Sequence, residues 1–424
     1  MPVSPARRAS PRRLRVPPAL VRGSEALPAS AILDELPGGV GVVLWSSARN
    51  VALWAATPPG RRGRLFDPAA AAERAAHLEA LEVDAELLAP LSVIVRLVED
   101  GGRMEDVRLV NACRRIALWA EQRGALGTAL EFAQCAALVA PEVAALAYAV
   151  GRLARRRAEY DRAETWYGRS IVQSRRTNDW RTYVLSYSGL GNLHTQKGNF
   201  PVAERAQLRG LKAALRHRLV DLQGIAYHDL FVTRIETGAG AEATDLAAAA
   251  FQAYGPAHPQ LPRLAFDVAY HWILQEYFEE ALRVAEPLAL WFDAPAERAL
   301  VLSLVARSAG GVRDRERFGA AKDTLTKLLS EGGADDAAAR ALLGVAYGAV
   351  GLEEWSLAEE TGSNALRIAR ERCESRLRLA AEACLDLVRS RPAPPEAARP
   401  ADAHSLLADR FVVELGRHPT MVPA

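Results

Sequence analysis

A segment that folds into two short helices cannot bury its apolar face alone, so its recurrence along a chain decides the architecture. Residues 184–216, reading VLSYSGLGNLHTQKGNFPVAERAQLRGLKAALR, form such a segment. Tyr187, Leu190, Gly191 and His194 fall at i, i+3, i+4 and i+7, one face of a first helix; Gly198-Asn199 breaks the pattern and Phe200 restarts it. Ala203, Ala206, Leu208, Leu211, Ala213 and Leu215 give the second helix a broad apolar side. Gly191 and Ala203 stand where two antiparallel helices approach closely, and Phe200 would plug the corner between them. The unit recurs. With the alanine three residues after a corner aromatic as marker, Tyr160 leads to Ala163, Phe200 to Ala203, Phe278 to Ala281, Phe318 to Ala321 and Trp355 to Ala358, while Ala129 and Ala243 mark copies without the aromatic. Successive markers lie 34, 40, 40, 38, 40 and 37 residues apart.

This pattern resembles the tetratricopeptide repeat (TPR) family, whose signature is W-x2-L-G-x2-Y, then A-x3-F, then P. Tyr187-x2-Leu190-Gly191-x2-His194 with Ala203 matches it, as do Ala117, Gly124, Ala129, Ala136 and Pro141, and Val150-Gly151, Tyr160, Ala163 and Tyr167. The resemblance covers roughly residues 104–390 and implies an all-α protein, a right-handed α-solenoid of about seven TPR-like helix-turn-helix repeats with a helical N-terminal extension and a C-terminal capping helix. Most intervals exceed the family's usual length of about 34, which we read as longer helices or loops.

A solenoid carries its core along its whole length, so 424 residues need not divide into globular domains. Half the residues are hydrophobic and alanine is abundant, as close-packed helices require. The 53 basic and 51 acidic residues nearly balance, which argues against overall attraction to nucleic acid or an anionic membrane. Cys113, Cys135, Cys373 and Cys384 show no C-x2-C spacing and read as buried thiols of a reducing compartment.

Residues 1–27 read as a disordered Arg/Pro-rich tail. Its Arg-rich, acid-free start also resembles an organellar transit segment, but a plain cytoplasmic tail is the simpler reading, and no run is apolar and long enough to span a membrane. Residues 28–103 lack the period and form a helical cap region: helices over 28–36 and 40–55, a strand being the alternative for Val40–Trp45, then a pair over 69–81 and 85–99 with Asp84 placed to cap the second. A DNA-binding helix-turn-helix at Ala72–Arg96 is disfavoured, because its turn is Glu82-Val83-Asp84 without glycine and Pro90 interrupts the recognition helix. After the repeats, Cys373–Ser390 forms a capping helix with Arg376, Arg378 and Arg389 outward. Residues 391–424 hold a proline-rich linker and a short helix at 403–416 that either docks back or stays free.

No H-E-x-x-H, G-x-S-x-G or P-loop pattern occurs, and neither a metal nor a cofactor is expected. His228-Asp229 and Asp267 with His271 are the acid–histidine neighbours worth naming, and no nucleophile stands beside them. The TPR resemblance implies instead a concave groove lined from positions 2, 5, 9 and 12 of each repeat. With the marker at position 20 these are Asn111, Arg114 and Glu121, then Tyr148, Arg152 and Arg155, then Ser188, Asn192 and Thr195, then His228, Phe266 and Tyr270, and finally Arg340 and Tyr347. Arginines there could hold carboxylates, Asn192 a peptide backbone, and the aromatics apolar anchors. Asn192 resembles the asparagine of the family's carboxylate-clamp members, but the other clamp residues do not match. The expected function is a non-enzymatic scaffold binding a peptide or protein segment, an acidic one being compatible with the arginines. The alternative is a regulatory, peptide-sensing protein of signalling or transcription. The register itself is testable: Ala203→Phe should overpack the helix seam and lower stability by about 1–3 kcal/mol in urea denaturation, and a parent-like midpoint would refute the placement.

Overall fold

The computed structural model describes residues 31–79, 81, 83–101, 103–238, 240–372, 374–391 and 402–417. The N-terminal tail, Cys373 and the prolines of the linker lie outside them. The described residues are all-α and fall into two compact units, Met1–Leu222 and Gln223–Ala424.

In the first unit, α1 (Ala31–Glu35), α2 (Gly39–Ala56), α3 (Pro68–Glu79) and α4 (Ala85–Glu99) precede three helix pairs: α5 (Asp106–Gln122) with α6 (Leu126–Val139), α7 (Ala144–Arg156) with α8 (Tyr160–Thr177), and α9 (Trp180–Gln196) with α10 (Phe200–Arg216). The second unit takes most of α11 (Val220–Glu236), which pairs with α12 (Gly240–Tyr254). It continues through α13 (Leu261–Leu274) with α14 (Phe278–Leu288), α15 (Pro295–Gly311) with α16 (Arg315–Glu331), and α17 (Asp335–Gly351) with α18 (Trp355–Glu371). Then come α19 (Ser375–Ser390) and α20 (Asp402–Leu415).

The turn inside each pair repeats one device. Gly124, Ala158, Gly198, Gly238, Glu276, Arg313 and Glu353 all take positive φ. At six of these turns the next residue's N–H donates five residues back, as in Glu159 N to Ala154 O at 2.9 Å and Asn199 N to His194 O at 2.8 Å. This Schellman closure satisfies the orphan carbonyls of the first helix. It also explains why non-glycine residues tolerate a left-handed conformation at four of these positions.

Measured from these turns, the repeat marker follows five residues later at Ala129, Ala163, Ala203, Ala243, Ala281 and Ala358, each 0% exposed. From Arg313 the same count reaches Phe318, not Ala321. The sequence register of that repeat is therefore off by three residues, and the intervals either side of it become 37 and 40. A phenylalanine fits where other repeats have alanine because it packs onto Gly348 of α17, which carries no Cβ to meet it.

In the cap region, Val40–Trp45 is helical rather than a strand, since α2 buries Leu44, Ala48, Val51 and Trp54 along one helical face. Pro90 lies inside α4 without ending it. Asp84 makes no capping bond; its carboxylate instead accepts from Arg123 Nη2 at 2.8 Å and Trp119 Nε1 at 3.2 Å, tying the start of α4 to the end of α5. Glu35 of α1 supplies a cap in trans. Its oxygens accept from the N–H groups of Gly127 (2.6 Å) and Thr128 (2.7 Å) and from Thr128 Oγ1 (2.9 Å), at the positive end of α6.

The short C-terminal helix docks. Leu407, Ala408, Phe411 and Leu415 of α20 are buried in the core of the second unit. Phe411 meets Phe251 of α12 with centroids 4.9 Å apart, and Trp291 Nε1 donates to Leu415 O at 2.9 Å. Cys113, Cys135 and Cys384 are buried free thiols, as read.

Phe318→Ala should empty the seam between α16 and α17 and destabilise by about 3–5 kcal/mol, with hydrogen exchange accelerating first in α15–α18. An unchanged denaturation midpoint would contradict the corrected register.

Candidate functional site

In the second unit the inner faces of five helices leave a cavity of about 430 Å³. The lining residues recur at helical spacing: Val232, Ile235 and Glu236 on α11; Arg263, Phe266, Asp267, Tyr270 and Leu274 on α13; Leu300, Ser303, Leu304 and Arg307 on α15; Arg340, Leu343, Gly344 and Tyr347 on α17; and Arg376, Leu377 and Ala380 on α19. In its wall, α15 and α17 pack backbone to backbone. A Cβ on Gly310 would collide with the backbone of Gly348, and one on Gly344 with Ser303. Only glycine permits that approach.

Polar groups converge on this concavity. The Arg307 guanidinium lies 4.3 Å from the centroid of the Tyr347 ring, a cation–π arrangement. Burial pulls its pKa below the ordinary arginine value, and the same cause raises that of Tyr347, whose hydroxyl donates to Ala380 O at 3.3 Å. Asp267 accepts from His228 Nε2 at 2.9 Å and lies 3.8 Å from Arg263, while Glu236 pairs with Arg376 at 3.0 Å. Arg307 and Arg340 form no ion pair with any described carboxylate.

The sequence-selected residues divide between the units. In the second, Phe266, Tyr270, Arg340 and Tyr347 line the cavity. His228 is buried, held between Asp267 and the Tyr254 hydroxyl at 3.3 Å, and orients the cavity wall from behind. Arg376, expected on an outward cap, is on the cavity rim because its helix packs on α17 as the next first helix of the array.

In the first unit, Arg114 and Asn111 are exposed on α5. Arg152 is already engaged: its two terminal nitrogens donate to the two oxygens of Glu121, each at 2.6 Å, and Arg156 joins the same carboxylate. The Arg152 hydrogen bond holds the Glu121 carboxyl below its ordinary range. Arg155 is half-buried, with its Nε enclosed and unmatched. Tyr148 faces Tyr167 with centroids 6.1 Å apart. Ser188 is buried; Asn192 Oδ1 accepts from Gln207 at 3.4 Å; and Thr195 Oγ1 donates to Gly191 O at 3.2 Å.

Arg307 escaped the sequence reading. Its repeat was counted from Ala321, whereas counting from Phe318 puts Leu300, Ser303 and Arg307 at positions 2, 5 and 9. The signal was present: Arg307 stands 40 residues before Tyr347, one repeat interval.

No family model and no curated protein matches the chain. Among solved structures, the apo form of RapI is similar, at 12% identity and a TM-score of 0.52, over 81% of this chain and 98% of that one. A Rap protein complexed with competence and sporulation factor aligns at 13% identity and a TM-score of 0.47, over 79% and 99% of the two chains. At such identities the RapI likeness speaks to the fold, which is the helical-repeat architecture described above.

The Arg152–Glu121 pair makes a pH-dependent expectation. A carboxyl whose folded pKa is depressed contributes stability that is present above the ordinary carboxylate range and lost as pH falls through the folded value. Arg152→Met should therefore lower the denaturation midpoint at pH 7 and converge on the parent under strongly acidic conditions; an equal loss at both would remove the ion pair as its cause.

Proposed function

We propose that the chain is a non-enzymatic scaffold that holds a peptide or protein segment against the inner faces of its helix pairs. One observation carries this reading: the inner faces of α11, α13, α15, α17 and α19 border a cavity of about 430 Å³ lined by apolar, aromatic and arginine side chains. Its size falls within the usual range of ligand sites. Tyr270, 40% exposed, and Leu274 offer apolar anchors at its edge.

Binding is favoured over catalysis because His228, which pairs with Asp267 at the cavity wall, is buried with both ring nitrogens engaged, by Asp267 and by the Tyr254 hydroxyl. In the first unit, Tyr148, Arg155, Asn192 and Thr195, with Arg114 at the edge and Ser188 buried behind them, are our second candidate surface. The near-neutral overall charge supports a protein partner over nucleic acid, and the buried, unpaired thiols support a reducing, cytoplasmic setting. Among the described residues no helix is long and apolar enough to cross a membrane. An occupant of the cavity would bridge α11 to α19 and so restrain the spacing of the repeats between them, which is what the regulatory, peptide-sensing alternative requires.

The test is peptide selection by display on the immobilised full chain, followed by affinity measurement on Leu274→Trp and Tyr270→Ala. Both variants should keep the parent's helicity and melting temperature yet lose about tenfold or more in affinity. Peptides that bind parent and variants alike would move the site away from the second unit's cavity.

A further inference from the structure

The cavity's charges do not cancel. Four arginines line it, Arg263, Arg307, Arg340 and Arg376, against two acids, Glu236 and Asp267. Glu236 pairs with Arg376, and Asp267 is held by Arg263 and His228. Subtracting these two matched sets leaves Arg307 and Arg340, two positive charges on neighbouring helices facing one concavity without a carboxylate. A guanidinium taken partly out of water needs a counter-charge or hydrogen-bond acceptors, and the cation–π contact with Tyr347 supplies only part of that. Arg307 is half-buried on the cavity wall, where its guanidinium lies within reach of a ligand.

We propose that Arg307 and Arg340 form a carboxylate-binding subsite, and that the peptide seated in this cavity presents either its free C-terminal carboxylate or an Asp or Glu side chain to them. The planar fork of arginine matches a carboxylate through two parallel hydrogen bonds. The apolar lining beside it, Phe266, Leu300, Leu304 and Leu343, suits an apolar side chain next to the acid.

This rests on the peptide-binding reading above, and the experiment separates the two. N-acetylated hexapeptide pools are offered to the full-length chain and bound peptides identified by affinity-selection mass spectrometry. One pool has free C-termini and no acidic residue, a second is C-amidated with a single Asp or Glu, and a third is C-amidated without acids. The first or the second should be enriched tenfold or more over the third, and which one wins identifies the source of the carboxylate. That enrichment should vanish in Arg307→Met, fall in Arg340→Met at the exposed rim, and survive in part in Arg307→Lys, which keeps the charge and loses the fork. Raising salt should weaken it. Equal binding of all three pools, blocked by Leu274→Trp but insensitive to the arginine variants, would overturn the subsite and leave the peptide reading standing. Absence of enrichment in every pool would overturn both.

Discussion

Each helix pair closes over a side chain of almost no size. At Ala129, Ala163, Ala203, Ala243, Ala281 and Ala358 the second helix turns its fourth residue into the first, and none of these methyl groups is reached by solvent. A close seam brings the two helices' larger residues into register, so Trp166, Tyr167, Phe231 and Trp272 become fully enclosed. Dispersion in so dense an interior is summed over many small contacts, which is why one overlarge residue at the seam matters more than one at the surface. The Schellman turn works to the same end, since it delivers the chain to the seam after a constant number of residues whether glycine or an ordinary residue takes the left-handed position.

The second unit uses the same constraint more tightly. Between α15 and α17 the small residues are glycines, and the backbones of Gly310, Gly348 and Gly351 meet directly. Such contact between consecutive first helices fixes their inner faces, placing Arg307 above the Tyr347 ring and leaving the cavity beside it. The phenylalanine at position 318 belongs to the same adjustment, because the space a Cβ would take at Gly348 is filled by its ring. Seam and site are therefore one packing solution, with Gly348 serving both.

The first unit shows how charge on an inner face can be consumed internally. Arg152 and Asn192 occupy corresponding repeat positions with Arg307 and Tyr347, yet Arg152 is closed onto Glu121 and Asn192 accepts from Gln207. The difference lies in what the adjoining repeat offers. Glu121 at position 12 of one repeat reaches Arg152 at position 9 of the next, whereas Arg307 has Tyr270 and Tyr347 on its flanking helices. Two repeats with similar composition thus present an internal ion pair in one unit and unmatched cations in the other.

Helical period, turn placement and the recurring alanine were legible in the sequence because they are local: each depends on residues within one turn or one pair. From them follow the all-α class, the seven pairs, the buried thiols and the inner-face positions of Phe266, Tyr270, Arg340 and Tyr347. The register of the α15–α16 pair was not legible, because Phe318 and Ala321 both suit a helix seam and only the facing Gly348 selects between them. The helical state of Val40–Trp45, the engagement of Asp84 by Trp119 and Arg123, and the docking of α20 between distant helices likewise depended on partners far along the chain. So did the state of every arginine. A sequence specifies which residues carry charge and which face of a helix they share, but whether a guanidinium finds a carboxylate is decided by distances between helices, which the tertiary packing alone sets.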